Sequence, residues 1–253
     1  MESDHVVRNR QVWDAQAPEY VADAEKNWST NEPSWGIFGV PESQLQMLPE
    51  APHGLRTVEL GCGTAYVSAW LTRRGATVTG IDLSERQLAT ARRLQAEHRL
   101  PFELLQGNCE ELPFADASFD FAISEYGAAI WCRPERWLRE AFRVLKPGGS
   151  LHFLGCSPWV HVCSPQSGAL PLVETLEHPY FDQYRNDWGA EGVEFNLPLS
   201  DWFRLFHEIG WQVLDYLEPR PAAPSPERRH YATFAWGHRY PAEQVWKLRK
   251  PAR

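Results

Sequence analysis

The stretch from Thr57 to Ala65, TVELGCGTA, constrains this chain more than any other, because two glycines flanking a cysteine follow directly on an apolar run. Val58 and Leu60 alternate as at the end of a buried strand, and the following YVSAWLTRRG carries its apolar residues at helical spacing. The glycines therefore sit at a strand-to-helix turn. Glycine there accepts positive φ and leaves no Cβ between a ligand and the backbone. The helix behind it offers unpaired amides and a partial positive charge. Tight βα turns also use glycine for geometry alone, so the loop by itself is either a ligand cradle or a plain turn, and the rest of the chain decides.

The units that follow repeat the pattern. Residues 76–81, ATVTGI, read as a β-branched strand ending at Asp82, after which Ser84 and Gln87 form an S-x-x-Q capping box for a helix with Leu88, Ala91 and Leu94 on one face. Residues 102–105 give a short third strand and FDFAIS at 119–124 a fourth. Residues 134–145 read as a helix with Trp137, Ala141 and Leu145 at helical spacing, stopped by KPGG, and residues 150–155 as a fifth strand. Strands alternating with helices imply a parallel sheet covered on both faces. After a helix at 201–209, residues 211–217 and HYATFAWGH from His230 read as two strands joined through the proline-rich loop 218–229, and so as an antiparallel pair. The expectation is a doubly wound α/β fold in one domain. It has an N-terminal helical cap over 1–50, a cofactor-binding core over 55–155, a substrate-side insertion after the fifth strand over 156–199, and a C-terminal helix with antiparallel strands over 200–253.

A length of 253 residues suits one such domain with an elaboration. The net charge of −8, with both signs interspersed, offers no basic face to a nucleic acid. No apolar stretch approaches the roughly 20 residues needed to span a bilayer, and MESDHVVRNRQ lacks the apolar core of a signal peptide. A soluble, cytoplasmic protein with neither nucleic acid nor membrane as partner is expected. Cys62, Cys109, Cys132, Cys156 and Cys163 lack the paired spacing of a zinc site, so reduced thiols and no metal are expected.

A nicotinamide dehydrogenase fits the position of Asp82, about 20 residues beyond the loop. The glycine pattern argues against it: the dinucleotide fingerprint begun at Gly61 needs glycine at position 66, where Tyr66 stands. VELGCGTA, then GIDLS at 80–84, GNCEELPFADASFDFAIS at 107–124 and RVLKPGGSL at 143–151 instead occur together and in order. In these stretches the chain resembles the class I S-adenosylmethionine-dependent methyltransferases. The resemblance implies a seven-stranded, mostly parallel sheet with the last strand antiparallel, and S-adenosyl-L-methionine as cofactor. It also implies roles by position. Gly61 and Gly63, with Cys62 between them, let the backbone approach the methionine part, and Glu59 orients the loop or the cofactor's ammonium. Asp82 accepts from both ribose hydroxyls, for which a carboxylate is suited, and Leu83 packs on the adenine. Gln87 joins this set, Asn108, Cys109 and Glu110 match the adenine-edge site, Ser124 lies where the fourth strand opens toward the sulfonium, and Tyr20, in WDAQAPEYVADA, lies close to the cofactor. Two positions depart from the family: Asn108 stands where aspartate is common, and Ala65 replaces a frequent third glycine. Asp82 also retains a plainer reading as a cap of the next helix.

Ligands of a doubly wound sheet gather at the carboxyl ends of its strands. The acceptor is then expected beside the fourth strand and its loop EYGAAIWCRP, covered by the N-terminal segment and by the aromatic-rich insertion as the pocket wall, with Trp35, Tyr126, Trp131 and Trp159 as substrate contacts and Trp28 as a further aromatic candidate. The resulting reading is in-line methyl transfer to a small, partly apolar molecule. A non-catalytic S-adenosylmethionine-binding protein is the alternative, with the dehydrogenase behind it. An oxygen or ammonium acceptor needs a base; His161, His178, Glu125 and Asp187 are available by composition, none has a motif, and the catalytic residue stays unassigned.

Overall fold

The computed structural model describes residues 3–223 and 227–252. Helices α1 (Asp4–Gln16) and α2 (Val21–Ser29) precede β1 (Arg56–Leu60), α3 (Tyr66–Arg73), β2 (Thr77–Asp82), α4 (Glu85–His98) and β3 (Glu103–Gln106). Then come β4 (Phe119–Glu125), α5 (Pro134–Val144), β5 (Leu145–Cys156), α6 (Leu199–Ile209), β6 (Gln212–Leu217) and β7 (Glu243–Arg249). The sheet order is β6-β7-β5-β4-β1-β2-β3, and β7 alone runs antiparallel to its neighbours. The chain order reverses between β1 and β4, which opens a crevice at the carboxyl ends of these strands.

Strand β1 shows why the sheet is central: Thr57, Val58, Glu59 and Leu60 are all buried, as in a strand covered on both faces. Helix α4 starts where the sequence says. Ser84 Oγ accepts from Gln87 N at 3.1 Å, and Leu88, Ala91 and Leu94 turn inward at helical spacing. In α5, Trp137, Leu138, Ala141 and Val144 form the buried face, and the Trp137 ring meets Phe153 of β5 edge-on at 5.1 Å. KPGG lies inside β5 rather than before it: Phe119 pairs with Leu145 and Phe121 with Ser150, so these residues bulge from the strand.

The tail departs further from expectation. HYATFAWGH forms no strand of the main sheet. Ala232–Thr233 pairs with Arg228–Arg229 in a short ribbon, and Phe234–Arg239 is helical, capped by Thr233 Oγ1 accepting from Trp236 N at 3.0 Å. The antiparallel partner of β6 is β7, at EQVWKLR, which the sequence reading missed. Residues 224–226 of the proline-rich loop lie outside the described residues. The N-terminal region is also more than helical, since Ser34–Trp35 and Val40–Pro41 form a two-stranded ribbon with Gly36 and Gly39 at positive φ in its tip.

Candidate functional site

A cleft of about 480 Å³ opens at the carboxyl ends of β1, β2 and β4. The glycine loop forms its floor, with Gly61 at φ +73° and Gly63 at φ +51°. The two glycines serve different ends. A Cβ on Gly61 would lie 2.6 Å from Ala128 N and Gly127 Cα, so this glycine lets the loop after β4 pack against β1. A Cβ on Gly63 would meet nothing within 4 Å, so this glycine keeps backbone open to the cleft. Ala65 stands at the start of α3 at φ 59°, and no side chain caps that helix.

Two carboxyls flank the loop. Asp82 Oδ2 accepts from Gly63 N at 2.7 Å and Oδ1 from Ser84 N at 2.8 Å, which ties the glycine loop to the end of β2. Burial raises its pKa to about 6, against the pull of those two amides. Glu59 Oε2 accepts from Ser68 N at 2.7 Å and from Ser68 Oγ, and burial raises it to about 8. Gln87 Oε1 is buried on the same wall without a partner, so the reciprocal half of its capping box is not made and an acceptor faces the cleft. Two carboxyls short of positive charge, an unpaired acceptor and an open backbone cradle suit a cationic ligand bearing hydroxyls and an amino group.

Tyr20, Glu59, Gly61, Cys62, Gly63, Asp82, Leu83, Gln87, Asn108 and Cys109 all line this cleft, together with Tyr126 and Trp131 from the acceptor set. Four expected contacts lie elsewhere. Glu110 is buried between α1 and the start of α5, where His5 Nε2 stands 2.7 Å from Oε1 and Arg133 N and Nε each donate to it at 2.8 Å. Burial opposes its charge, but the bonds from His5 and Arg133 prevail and hold it at about 2, so it is a structural anchor. Ser124 is fully buried, donating to Leu60 O at 2.7 Å and accepting from Ala129 N at 3.3 Å. Trp35 is buried against Trp70 at 5.4 Å and donates to Glu42. Trp159 is 39% exposed and packs on Tyr180 at 5.7 Å, outside the cleft. Trp28 is likewise a core residue, donating to Thr64 O at 2.8 Å behind the loop.

The insertion contributes less wall than its aromatic content suggests: of residues 156–199 only Cys156 and Glu194 reach the cleft. The rest of the acceptor side comes from the N-terminal segment, which the sequence points to as a cover, and from the tail, which it does not. Asn9 and Trp13 enter from α1, residues 36–39 from the N-terminal ribbon, and Arg229, His230, Tyr231 and Phe234 from the tail. Trp13 meets Trp131 edge-on at 5.1 Å and Tyr20 at 5.2 Å. Tyr126, at φ +53°, hydrogen-bonds through its hydroxyl with Tyr231 OH and Glu243 Oε1, each at 2.6 Å. An aromatic residue held at positive φ is strained, and such strain gathers at functional sites. Of the four base candidates, only Glu125 is in the cleft; Asp187 is exposed and paired with Arg8 at 2.7 Å.

The family described as methyltransferase domain matches residues 58–153. A demethylmenaquinone methyltransferase from Listeria welshimeri is 39% identical over 184 residues, covering 69% of this chain and 77% of the relative. The chain belongs to the class I S-adenosylmethionine-dependent methyltransferases. S-adenosylmethionine is the cofactor of that family, and the cleft suits it. A malonyl-[acyl-carrier protein] O-methyltransferase from Pectobacterium atrosepticum is 38% identical over 113 residues, 44% of this chain but 42% of that protein, so similarity to this relative spans less than half its length. Among solved structures, an S-adenosylmethionine-dependent methyltransferase from Mesorhizobium loti superposes with a TM-score of 0.64 at 22% identity, over 85% of this chain and all (100%) of the other. The [4+2]-cyclase SpnF gives a TM-score of 0.64 at 19% identity, over 96% and 95%. These two likenesses show the fold. No helix among the described residues is long and apolar enough to cross a membrane.

Proposed function

We propose that the protein transfers the methyl group of S-adenosylmethionine to a small, partly apolar molecule by in-line displacement. The observation that carries this reading is one continuous cleft whose floor is the glycine loop with Asp82 and whose opposite side is aromatic: Trp13, Tyr126, Trp131, Tyr231 and Phe234. When bound, S-adenosylmethionine supplies an electrophilic methyl carbon and a good leaving group. The chain's own residues do the rest by holding and shielding.

Gly61 and Gly63 bring backbone to the methionine part, Asp82 accepts from the ribose hydroxyls, and Leu83 and Cys109 pack on the adenine. Asn108 Oδ1 already accepts from Glu110 N at 2.9 Å, which leaves its amide NH₂ as the donor to an adenine ring nitrogen. Tyr20 and the tip of the N-terminal ribbon close the cleft from above and exclude water, so that the methyl group meets the acceptor instead of solvent. The relatives' names support an apolar acceptor: one is a demethylmenaquinone methyltransferase and another, from Mycolicibacterium smegmatis, a fatty-acid O-methyltransferase.

Calorimetric titration with S-adenosylmethionine and with NADH is the first test, and binding of the former alone is expected. Incubation with methyl-labelled cofactor and a soluble metabolite extract, read by mass spectrometry, should then show label on a small molecule. Cofactor binding with no labelled product would select the non-catalytic reading, and NADH binding the dehydrogenase.

A further inference from the structure

The acceptor side of the cleft is aromatic, and three carboxyls gather on or directly behind its wall. Glu125, the last residue of β4, reaches the wall with both oxygens held by neutral donors: Oε1 accepts from Gly36 N at 2.7 Å and Oε2 from Tyr66 OH at 2.6 Å. Glu194 reaches it from the insertion and accepts only from Trp188 Nε1, at 2.9 Å. Glu243 stands behind Tyr126 and is fully buried. Its Oε1 accepts from Tyr126 OH and from Ile37 N at 2.8 Å, while its Oε2 has no partner and lies 2.6 Å from where a Gly36 Cβ would be, against the cleft wall. Among the described residues none of the three carboxyls is in an ion pair; the wall's basic side chains are Lys26, Arg229 and His230, of which Arg229 pairs with Glu227 and His230 is held toward its neutral form by burial.

Three carboxyls beside aromatic rings, none of them ion-paired among the described residues, suit one kind of guest. We propose that the acceptor is an amine, a small alkyl- or arylalkyl-amine whose ammonium group docks on Glu125 while its apolar part lies against Trp13 and Trp131. This rests on the methyl-transfer reading above. A second positive charge beside the sulfonium is repelled unless negative groups offset it, and Glu194 and Glu243 supply that offset. Tyr126 and Trp131 add ring faces that attract a cation. A carboxylic acid, by contrast, meets the like groups Glu125 and Glu194 on the wall, where Arg229 is already paired with Glu227. Burial raises Glu125, Glu194 and Glu243 each to about 7, the state of carboxyls lacking a compensating charge.

The chemistry then balances. The ammonium gives one proton to the Glu125 carboxylate, which frees the nitrogen lone pair. That pair forms the N–C bond as the C–S bond breaks and its electrons return to sulfur, leaving a methylated ammonium and a neutral thioether.

The test is calorimetry on the full chain saturated with S-adenosylhomocysteine, using 2-phenylethylamine, tryptamine and hexylamine, each beside the alcohol of the same skeleton. At least one amine should bind about tenfold or more tighter than its alcohol, and Glu125→Gln should bring the two within about twofold. Glu194→Gln, which should lower the same preference, serves if the first variant does not fold. The proposal is overturned if no amine outbinds its alcohol, or if the preference persists unchanged in the variants. Binding of S-adenosylhomocysteine without any amine preference removes this inference and leaves the methyl-transfer reading standing; absence of S-adenosylhomocysteine binding removes that reading itself.

Discussion

The two sides of the cleft are built in opposite ways. The cofactor side comes from three successive strand ends within residues 59–109 and is held by backbone amides, as when Gly63 N and Ser84 N fix Asp82. The acceptor side is gathered from α1, the N-terminal ribbon, the loop after β4, the insertion and the tail, and is held largely through side chains, as when Tyr126 OH joins Tyr231 to Glu243. Backbone-held geometry depends on a short local sequence and tolerates little change. A surface assembled from distant side chains can be altered one contact at a time, which is how one cofactor site comes to serve many acceptors.

The sharpest way to break this comparison is at Gly61. Gly61→Val forces a Cβ to within 2.6 Å of backbone at Gly127 and Ala128, at a positive φ that valine disfavours. A loss of about 3 kcal/mol or more of stability is expected in chemical unfolding. Gly63→Ala, where a Cβ has room, should cost only about 1 kcal/mol of stability and show itself as weaker cofactor binding. Equal destabilisation by both changes would remove the distinction drawn between the two glycines.

Next in size is Glu110→Ala, which leaves Arg133 and His5 without their shared carboxylate. About 3 kcal/mol of stability should be lost, with cofactor affinity of the folded protein unchanged within about threefold. Asp82→Ala should do the reverse, weakening S-adenosylmethionine binding by about 1.5–3 kcal/mol in calorimetry through lost hydrogen bonds to a charged group. If Glu110→Ala abolishes binding in a folded protein, Glu110 belongs to the cofactor side after all.

A smaller effect is expected from pH, with opposite signs for the two kinds of carboxyl. Glu59 is raised to about 8, Glu125, Glu194 and Glu243 to about 7, and Asp82 to about 6. Unfolded carboxyls titrate near about 4, so between that pH and about 8 the folded chain holds protons that the unfolded chain releases, and stability falls as pH rises. Glu110, held at about 2, contributes stability that is present above about 4 and lost as pH falls toward 2. The thermal midpoint of the cofactor-free protein should therefore be highest near pH 5 and lower by several degrees at pH 8. Glu59→Gln should flatten the alkaline side of that curve, and an unchanged slope would count against a buried carboxyl at this position. The smallest effect is expected for Trp159→Ala, whose side chain is 39% exposed and away from the cleft. Cofactor affinity should change by less than about twofold.

The sequence by itself determined the parallel core, because each of its signals lies within a few residues: alternation in β1, the Ser84 cap, the apolar face of α5, and glycines at a turn where backbone must come close to other atoms. Nine of the expected cofactor residues reach the cleft from those local units, since a strand end and its loop place a side chain with little help from elsewhere. Glu110 and Ser124 show the limit of that logic. Both lie beside true cleft residues in sequence, yet one turns toward His5 and Arg133 and the other toward Leu60 O. Only the tertiary structure decided the acceptor wall and the final strand. Trp13, Tyr231 and Glu194 carry no local mark of function, and aromatic residues such as Trp35 and Trp159 look the same in sequence whether they fill a core or face a ligand. Which of them meets the cleft is set by packing between segments more than 100 residues apart, as in the contact of Trp13 with Trp131, and periodicity along the chain carries no information about contacts of that range.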